Sequence, residues 1–494
     1  MARIGLGLFL GFLAATFPLG LSAQTGPEEV LSAMKKATRF MMEEVSNRGG
    51  FLWVYDQDLK GYGELPGRPS MVWVEPPGTP TVGMVLLEAY RVTGEDYYLD
   101  RCKEVANVLV RGQHPSGGWH YFIDLDPTGT QHYYDTFFSK CWGWQEYLHY
   151  YGNCTFDDFV TSDPTRFFLR LHTQTLDPVY KEILDKALDH ILRAQFTNGA
   201  WPQRFPLNTE HPTSGHPDYT ACYTFNDGVM GDTIRLLLEA FEALGQERLR
   251  EAAVRGMDFY ILSQLPTPQA GWAQQYDHDM RPAWGRPFEM PAVCSNQTTE
   301  NIEDLLYYYQ ATGDRRYLEP IPKALDWLES AIISDATDHT HSGFYELGSN
   351  RPLYTKRTGT VIADVSFETV YEREGAYPYA PKVTISIDSL KKKYNEIAAL
   401  SPEQARERYT KDAMRAPAVP PHGYYYYRAY QATAPDEEGI RKILESQDDR
   451  GGWLEPIAVA DPYAPFDRPG LEFEGYSTGG YAARMARMLE FLQP

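Results

Sequence analysis

Positive charge is in short supply: Lys and Arg total 46 against 67 Asp and Glu, a formal net charge of −21. No basic stripe stands ready to neutralise phosphates, so nucleic acid is excluded as a partner. After the first two dozen residues no apolar run is long enough to cross a bilayer, so no membrane span is expected. Cysteine is scarce, and Cys102, Cys141, Cys154, Cys222 and Cys294 fall at no metal-like spacing. Lone buried thiols are the reading for most of them. Strand-like alternation is also rare, with Lys382–Ile387 the best candidate. No Pro/Gly/Ser linker divides the chain, so 24–494 reads as one domain.

Residues 1–23 are different. Arg3 precedes a mostly apolar run, Ile4 to Leu21, and small residues Ser22 and Ala23 come before Gln24. This is the pattern of an export signal, which predicts a secreted or periplasmic protein.

The chain repeats one local pattern. Gln113-x-x-x-Gly117-x-Trp119, Gln195-x-x-x-Gly199-x-Trp201 and Gln447-x-x-x-Gly451-x-Trp453 each close an amphipathic stretch, with weaker copies at Gln264 to Trp272 and Ser342 to Tyr345. The copies lie roughly 70 to 110 residues apart, the length of a helical hairpin with a long loop. A Gly helix stop followed by a large aromatic returns the chain to the core. Between copies, Val179, Ile183, Leu184, Leu188, Ile191 and Leu192 share one helical stripe. Thr93-Gly94-Glu95 and Thr312-Gly313-Asp314 have the form of tight helix–helix turns. The predicted fold is mostly α, an (α/α) toroid or barrel of helical hairpins with its long loops gathered on one active-site face. The stretch 388–421, with three consecutive lysines and a Pro-rich end, reads as an insertion exposed to solvent.

Candidate chemistry sits in those loops. Thr155-Phe156-Asp157-Asp158 brings two adjacent carboxylates, and Phe225-Asn226-Asp227 brings an amide and a third carboxylate. Each acid could serve only as a helix N-cap. Together they offer the hard oxygen donors that Ca²⁺ favours, too few for a closed protein cage. Further on lie Gly271–Asp277, the run Pro282–Glu289 containing Arg286, and Phe344–Glu346 followed by Asn350, Arg351 and Arg357. The planar fork of arginine suits bidentate carboxylate binding. Ten Trp and 35 Tyr provide flat rings of the kind that stack on sugars, though many must be core.

These same segments resemble polysaccharide lyase family 10, the pectic acid lyases: Thr155-Phe156-Asp157-Asp158, Trp201-Pro202-Gln203, Phe225-Asn226-Asp227, Gly271-Trp272-Ala273-Gln274-Gln275-Tyr276-Asp277, Phe344-Tyr345-Glu346-Leu347 and Asn350-Arg351-Pro352-Leu353. The resemblance implies an (α/α) toroid and calcium-assisted β-elimination of polygalacturonate to 4,5-unsaturated oligogalacturonides. By motif order it implies Arg286 as the catalytic base, Asp157, Asp158 and Asp227 as Ca²⁺ ligands, and Arg357 as a partner of a substrate carboxylate. Arg351, Tyr276 and Trp201 are expected beside the substrate as well. The chain departs from the family where an arginine is usual: Gly343, Gly452 and Gly479 stand in such places. Loss of a charged hydrogen bond to the substrate costs about 1.5 to 3 kcal/mol. Two other readings are compatible with the residues. A glycoside hydrolase on the same toroid would set Asp157 and Asp227 across the scissile bond without metal. A non-catalytic protein binding acidic polysaccharide would keep the groove and lose turnover.

Overall fold

The computed structural model describes residues 26–63, 67–137, 151–211, 218–333, 340–359, 366–415, 436–459 and 470–493. The expected export signal and Cys141 lie outside them. The helices are α1 (Pro27–Phe40), α2 (Thr79–Thr93), α3 (Asp96–Gly112), α4 (Thr130–Thr136), α5 (Ser162–Thr175), α6 (Pro178–Ala194) and α7 (Val229–Leu244). They continue with α8 (Glu247–Ser263), α9 (Ser295–Thr312), α10 (Ile321–Ser330), α11 (Ile387–Ala398), α12 (Pro402–Arg415), α13 (Glu437–Glu445) and α14 (Thr478–Phe491).

Burial sorts them into two rings. In α6 the buried residues form one stripe, Tyr180, Ile183, Leu184, Ala187, Leu188 and Ile191, as a helix with one solvent face requires. Asp177 caps it from the side chain and Pro178 opens its first turn. By contrast, α2 is buried continuously from Thr79 to Ala89 and α5 from Ser162 to Leu169. Such helices have neighbours all round. The inner set α14, α2, α5 and α7 packs in that order, and α1, α3, α6, α8, α10 and α13 lie outside it. Gly94, Gly245 and Gly313 end α2, α7 and α9 in the left-handed conformation, which turns α2 into α3, α7 into α8 and sends the chain from α9 toward α10. The protein is a mostly helical (α/α) toroid.

The recurring Gln-x-x-x-Gly-x-Trp segments fasten this ring. Gln113 Nε2 donates to Gly117 O in its own turn and, at 2.9 Å, to Ile183 O on the next outer helix. Gln195 does the same toward Ala252 O, Gln264 toward Pro320 O, and Gln447 toward Ala33 O, which joins α13 to α1. The glycine is obligatory. At Gly199 φ is +97°, and an added Cβ would lie 2.0 Å from Arg255 O on the neighbouring helix. Trp119, Trp201 and Trp453 each return an indole N–H to a carbonyl of the helix just left, at 2.9 Å. The weak copy near Gly343 is shifted: His341 takes the tryptophan's part, bonding Leu328 O at 2.9 Å.

Short antiparallel pairs tie the loops together at one end of the ring. Phe122–Asp124 pairs with Met71–Trp73, Arg204–Phe205 with Cys154–Thr155, Gln275–Tyr276 with Tyr223–Thr224, and Phe344–Tyr345 with Val293–Cys294. The loops therefore share one face, as the repeats predict.

The strand expected at 382–387 shortens to Val383–Thr384, because α11 begins at Ile387. The stretch from 388 is not a solvated loop as far as it is described, to Arg415. Leu390, Ile397 and Ala405 are buried, and α11 and α12 pack against α10 and α9. No helix among the described residues is long and apolar enough to cross a membrane. Cys102, Cys154, Cys222 and Cys294 are buried free thiols.

Candidate active site

Two adjacent loops build the acidic centre on one plan. Before α5, Phe156 N–H bonds Gln203 O, and Gln203 Nε2 donates to Asp157 Oδ2 at 2.7 Å. Before α7, Phe225 N–H bonds Gln274 O, and Gln274 Nε2 donates to Asn226 Oδ1 at 2.9 Å. The residue after each, Asp158 and Asp227, is left-handed, at φ 45° and 52°. Aspartate tolerates this better than most side chains. The same turn, used twice on neighbouring hairpins, aims its acids at the same place. One ligand oxygen from each of Asp157, Asp158 and Asp227 lies within 4.8 Å of the others.

None of the three acts as a helix cap. The residue before α7 is Gly228, and neither short turn carries a side-chain cap bond. Asp157 is buried and accepts the Tyr121 hydroxyl at 2.6 Å besides Gln203. Closely set carboxylates repel unless a cation or a proton lies between them. The donor set consists of hard oxygens, two of them on residues that remain partly exposed. It fits Ca²⁺ with room for outside ligands.

Arg286 reaches this centre from the α8–α9 loop. Its side chain is 7% exposed, and one terminal nitrogen lies 3.0 Å from Glu289 Oε1 and 3.4 Å from Asp227 Oδ2. The guanidinium also sits over Phe288 and Tyr379, at 5.5 and 5.8 Å from the ring centroids. Glu289 accepts the Arg286 backbone N–H at 2.8 Å through Oε2 and the Tyr379 hydroxyl at 2.5 Å through Oε1. Burial, then the carboxylate of Glu289, keeps the Tyr379 phenol protonated well above the ordinary tyrosine range, against the opposing pull of Arg286.

The other expected residues come from other parts of the fold. Arg351 is exposed and stacks on Tyr371, 3.6 Å from the ring centroid, with Tyr371 bonded to Glu346. Arg357 is half-buried on the strand Pro352–Thr358, paired with Phe367, whose ring meets Phe288. Trp201 and Tyr276 need correcting as substrate contacts. Trp201 is fully buried and spends its N–H on Ile191 O; Tyr276 is buried, with its hydroxyl between Ser263 O and Ala273 N. Neither ring offers a face to a ligand. At Gly343 an added Cβ would lie 2.5 Å from Ala380 Cβ, so the segment carrying Tyr379 leaves no room there for a longer side chain.

Sequence reasoning did not single out Tyr121 or Tyr379. Tyr379 lies some 90 residues from its partner Glu289, and nothing local marks it. The parallel between Thr155-Phe156-Asp157-Asp158 and Thr224-Phe225-Asn226-Asp227 was available as a signal for Gln203 and Gln274, each two residues after a repeat tryptophan.

Residues 143–341 match the family model described as pectic acid lyase. Among curated proteins no relative matches. Solved structures similar to this chain include the family 10 polysaccharide lyase from Cellvibrio cellulosa, 14% identical over 68% of this chain and 96% of that one, at a TM-score of 0.39. A sugar epimerase from a ruminal bacterium is 10% identical over 94% and 98%, at 0.44. The GH76A α-1,6-mannanase from Salegentibacter sp. HEL1_6 is 13% identical over 94% and 99%, at 0.39. At such scores these likenesses have no bearing on the chemistry. The family match falls on the segment that supplies Asp157, Asp158, Asp227 and Arg286, and over that segment the chain is similar to the pectic acid lyases.

Proposed function

We propose that this polysaccharide-degrading enzyme acts outside the cytoplasm and cleaves polygalacturonate, or a related uronate chain, by calcium-assisted β-elimination. The observation that carries this reading is the convergence of three carboxylates from two hairpins with Arg286, 3.4 Å from Asp227. A Ca²⁺ held by Asp157, Asp158 and Asp227 would draw charge from the carboxylate beside C5 and lower the proton affinity of Arg286.

The remaining steps belong to the chain. Arg286 takes the proton from C5, the electron pair forms the C4–C5 double bond, and the C4–O bond breaks as a proton returns to the leaving oxygen. A base must stand within hydrogen-bond reach of the proton it removes, and Glu289 holds the guanidinium still for that purpose. Tyr121 and Gln203 fix Asp157, while Gln274 and Asn226 fix the loop of Asp227. Arg357, on its half-exposed strand, would meet a substrate carboxylate further along the groove, and Arg351 supports the same region.

The test is turnover of polygalacturonate with added calcium and with a chelator, followed by ultraviolet absorbance. An absorbing product that disappears with chelator supports elimination. New reducing ends without absorbance would mean hydrolysis, and binding without product at any calcium level would mean a non-catalytic protein.

A further inference from the structure

Arg286 stands between two acids. Glu289 Oε1 is 3.0 Å from the guanidinium and Asp227 Oδ2 is 3.4 Å from the same nitrogen. The two contacts are unequal in their surroundings. The Glu289 side chain is 3% exposed and the Asp227 side chain 30%. Glu289 is also anchored twice more, by the Arg286 backbone N–H and by the Tyr379 hydroxyl. Its turn is closed by Gly285 N–H to Glu289 O and by Glu289 N–H to Arg286 O. Asp227 belongs to the three-carboxylate centre, so a cation there and the guanidinium would draw on the same carboxylate.

We propose that Glu289, braced by Tyr379, is a positioning residue that limits Arg286 to one long bond with Asp227, and so leaves most of the Asp227 carboxylate to the calcium centre. This rests on the calcium-dependent reading given above. A buried, triply anchored carboxylate fixes the planar fork in one orientation. Without it the guanidinium would close on Asp227, which it already touches at 3.4 Å, and occupy an oxygen that the centre needs. The clamp thus acts on cation affinity as well as on the aim of the base.

The experiment measures Ca²⁺ binding by calorimetry without substrate, in the parent, Glu289→Gln, Arg286→Met and the double variant. Glu289→Gln in the presence of Arg286 should weaken Ca²⁺ binding about tenfold, while the same change in the Arg286→Met background should alter it less than about twofold, because no guanidinium is left to compete. Equal weakening in both backgrounds would make Glu289 a general scaffold residue and overturn the proposal, and so would no weakening in either. Should Glu289→Gln fail to fold, Tyr379→Phe, which leaves both charges in place, carries the test: binding weakened about threefold is expected, and unchanged binding overturns the brace. A parent protein that binds no Ca²⁺ defeats the metal reading itself, an outcome distinct from failure of the clamp.

Discussion

At the scale of single residues, position separates chemistry from support. Arg286→Lys keeps the charge but shortens the reach and removes the fork; kcat on polygalacturonate should fall at least about 100-fold, near 3 kcal/mol of barrier, with Ca²⁺ affinity retained. Activity within a few-fold of the parent would remove Arg286 from the role of base. Asp227→Asn is the matching test of the metal centre. Asparagine accepts the left-handed backbone at φ 52° as readily as aspartate, so the fold should hold while calcium activation weakens. A loss of thermal stability matching the loss of activation would return Asp227 to a structural role. His190 gives a pH test away from the site. Burial holds its pKa down at about 4, against the Ser116 carbonyl that its Nδ1 faces. Because the unfolded chain takes up this proton near pH 6.5, the stability is complete above that value and is lost as pH falls toward 4. Between pH 7 and 5 the loss should be about 2 kcal/mol by denaturant unfolding, and His190→Gln should flatten that part of the profile.

At the scale of elements, the repeated turn is what the sequence displays most openly. Glutamine, glycine and tryptophan are each held by local geometry: the amide by two carbonyls, the glycine by a neighbouring backbone 2.0 Å from its missing Cβ, the indole by the helix just left. Requirements of that kind leave an imprint at fixed spacing, and the toroid follows from them. Gly199→Ala should therefore cost more than about 3 kcal/mol, from the left-handed strain and the clash together, and Gln195→Ala about 2 kcal/mol, for two lost half-buried hydrogen bonds. Urea unfolding checks both; a near-neutral Gly199→Ala would show that the turn can rearrange. The acidic triplet was legible for the same reason, since two of its members occupy equivalent places in neighbouring turns. Trp201 and Tyr276 were misread because an aromatic beside a polar loop looks alike in sequence whether it faces a groove or the core. Tyr379 was invisible because its link to Glu289 depends on how a distant segment crosses Gly343.

At the scale of the whole molecule, the seam between α13 and α1 is built like the junctions elsewhere in the ring. Gln447 spans it to Ala33 O, Lys36 bonds Asp448 O, and Arg450 pairs with Glu44. Inside, α14 packs on α2, and Gln493 at its end accepts a bond from Arg91 at the end of α2. In an open solenoid the end repeats have a single neighbour and need special capping. Here each joins the other, so the order in which the ribosome makes the hairpins is one of several that the ring would accept. A circular permutant that links residue 493 to residue 26 through a flexible spacer, with new ends at the exposed α7–α8 turn beside Gly245, should fold with its three-carboxylate centre intact. For this architecture the beginning of the chain is a matter of genetics rather than of mechanics.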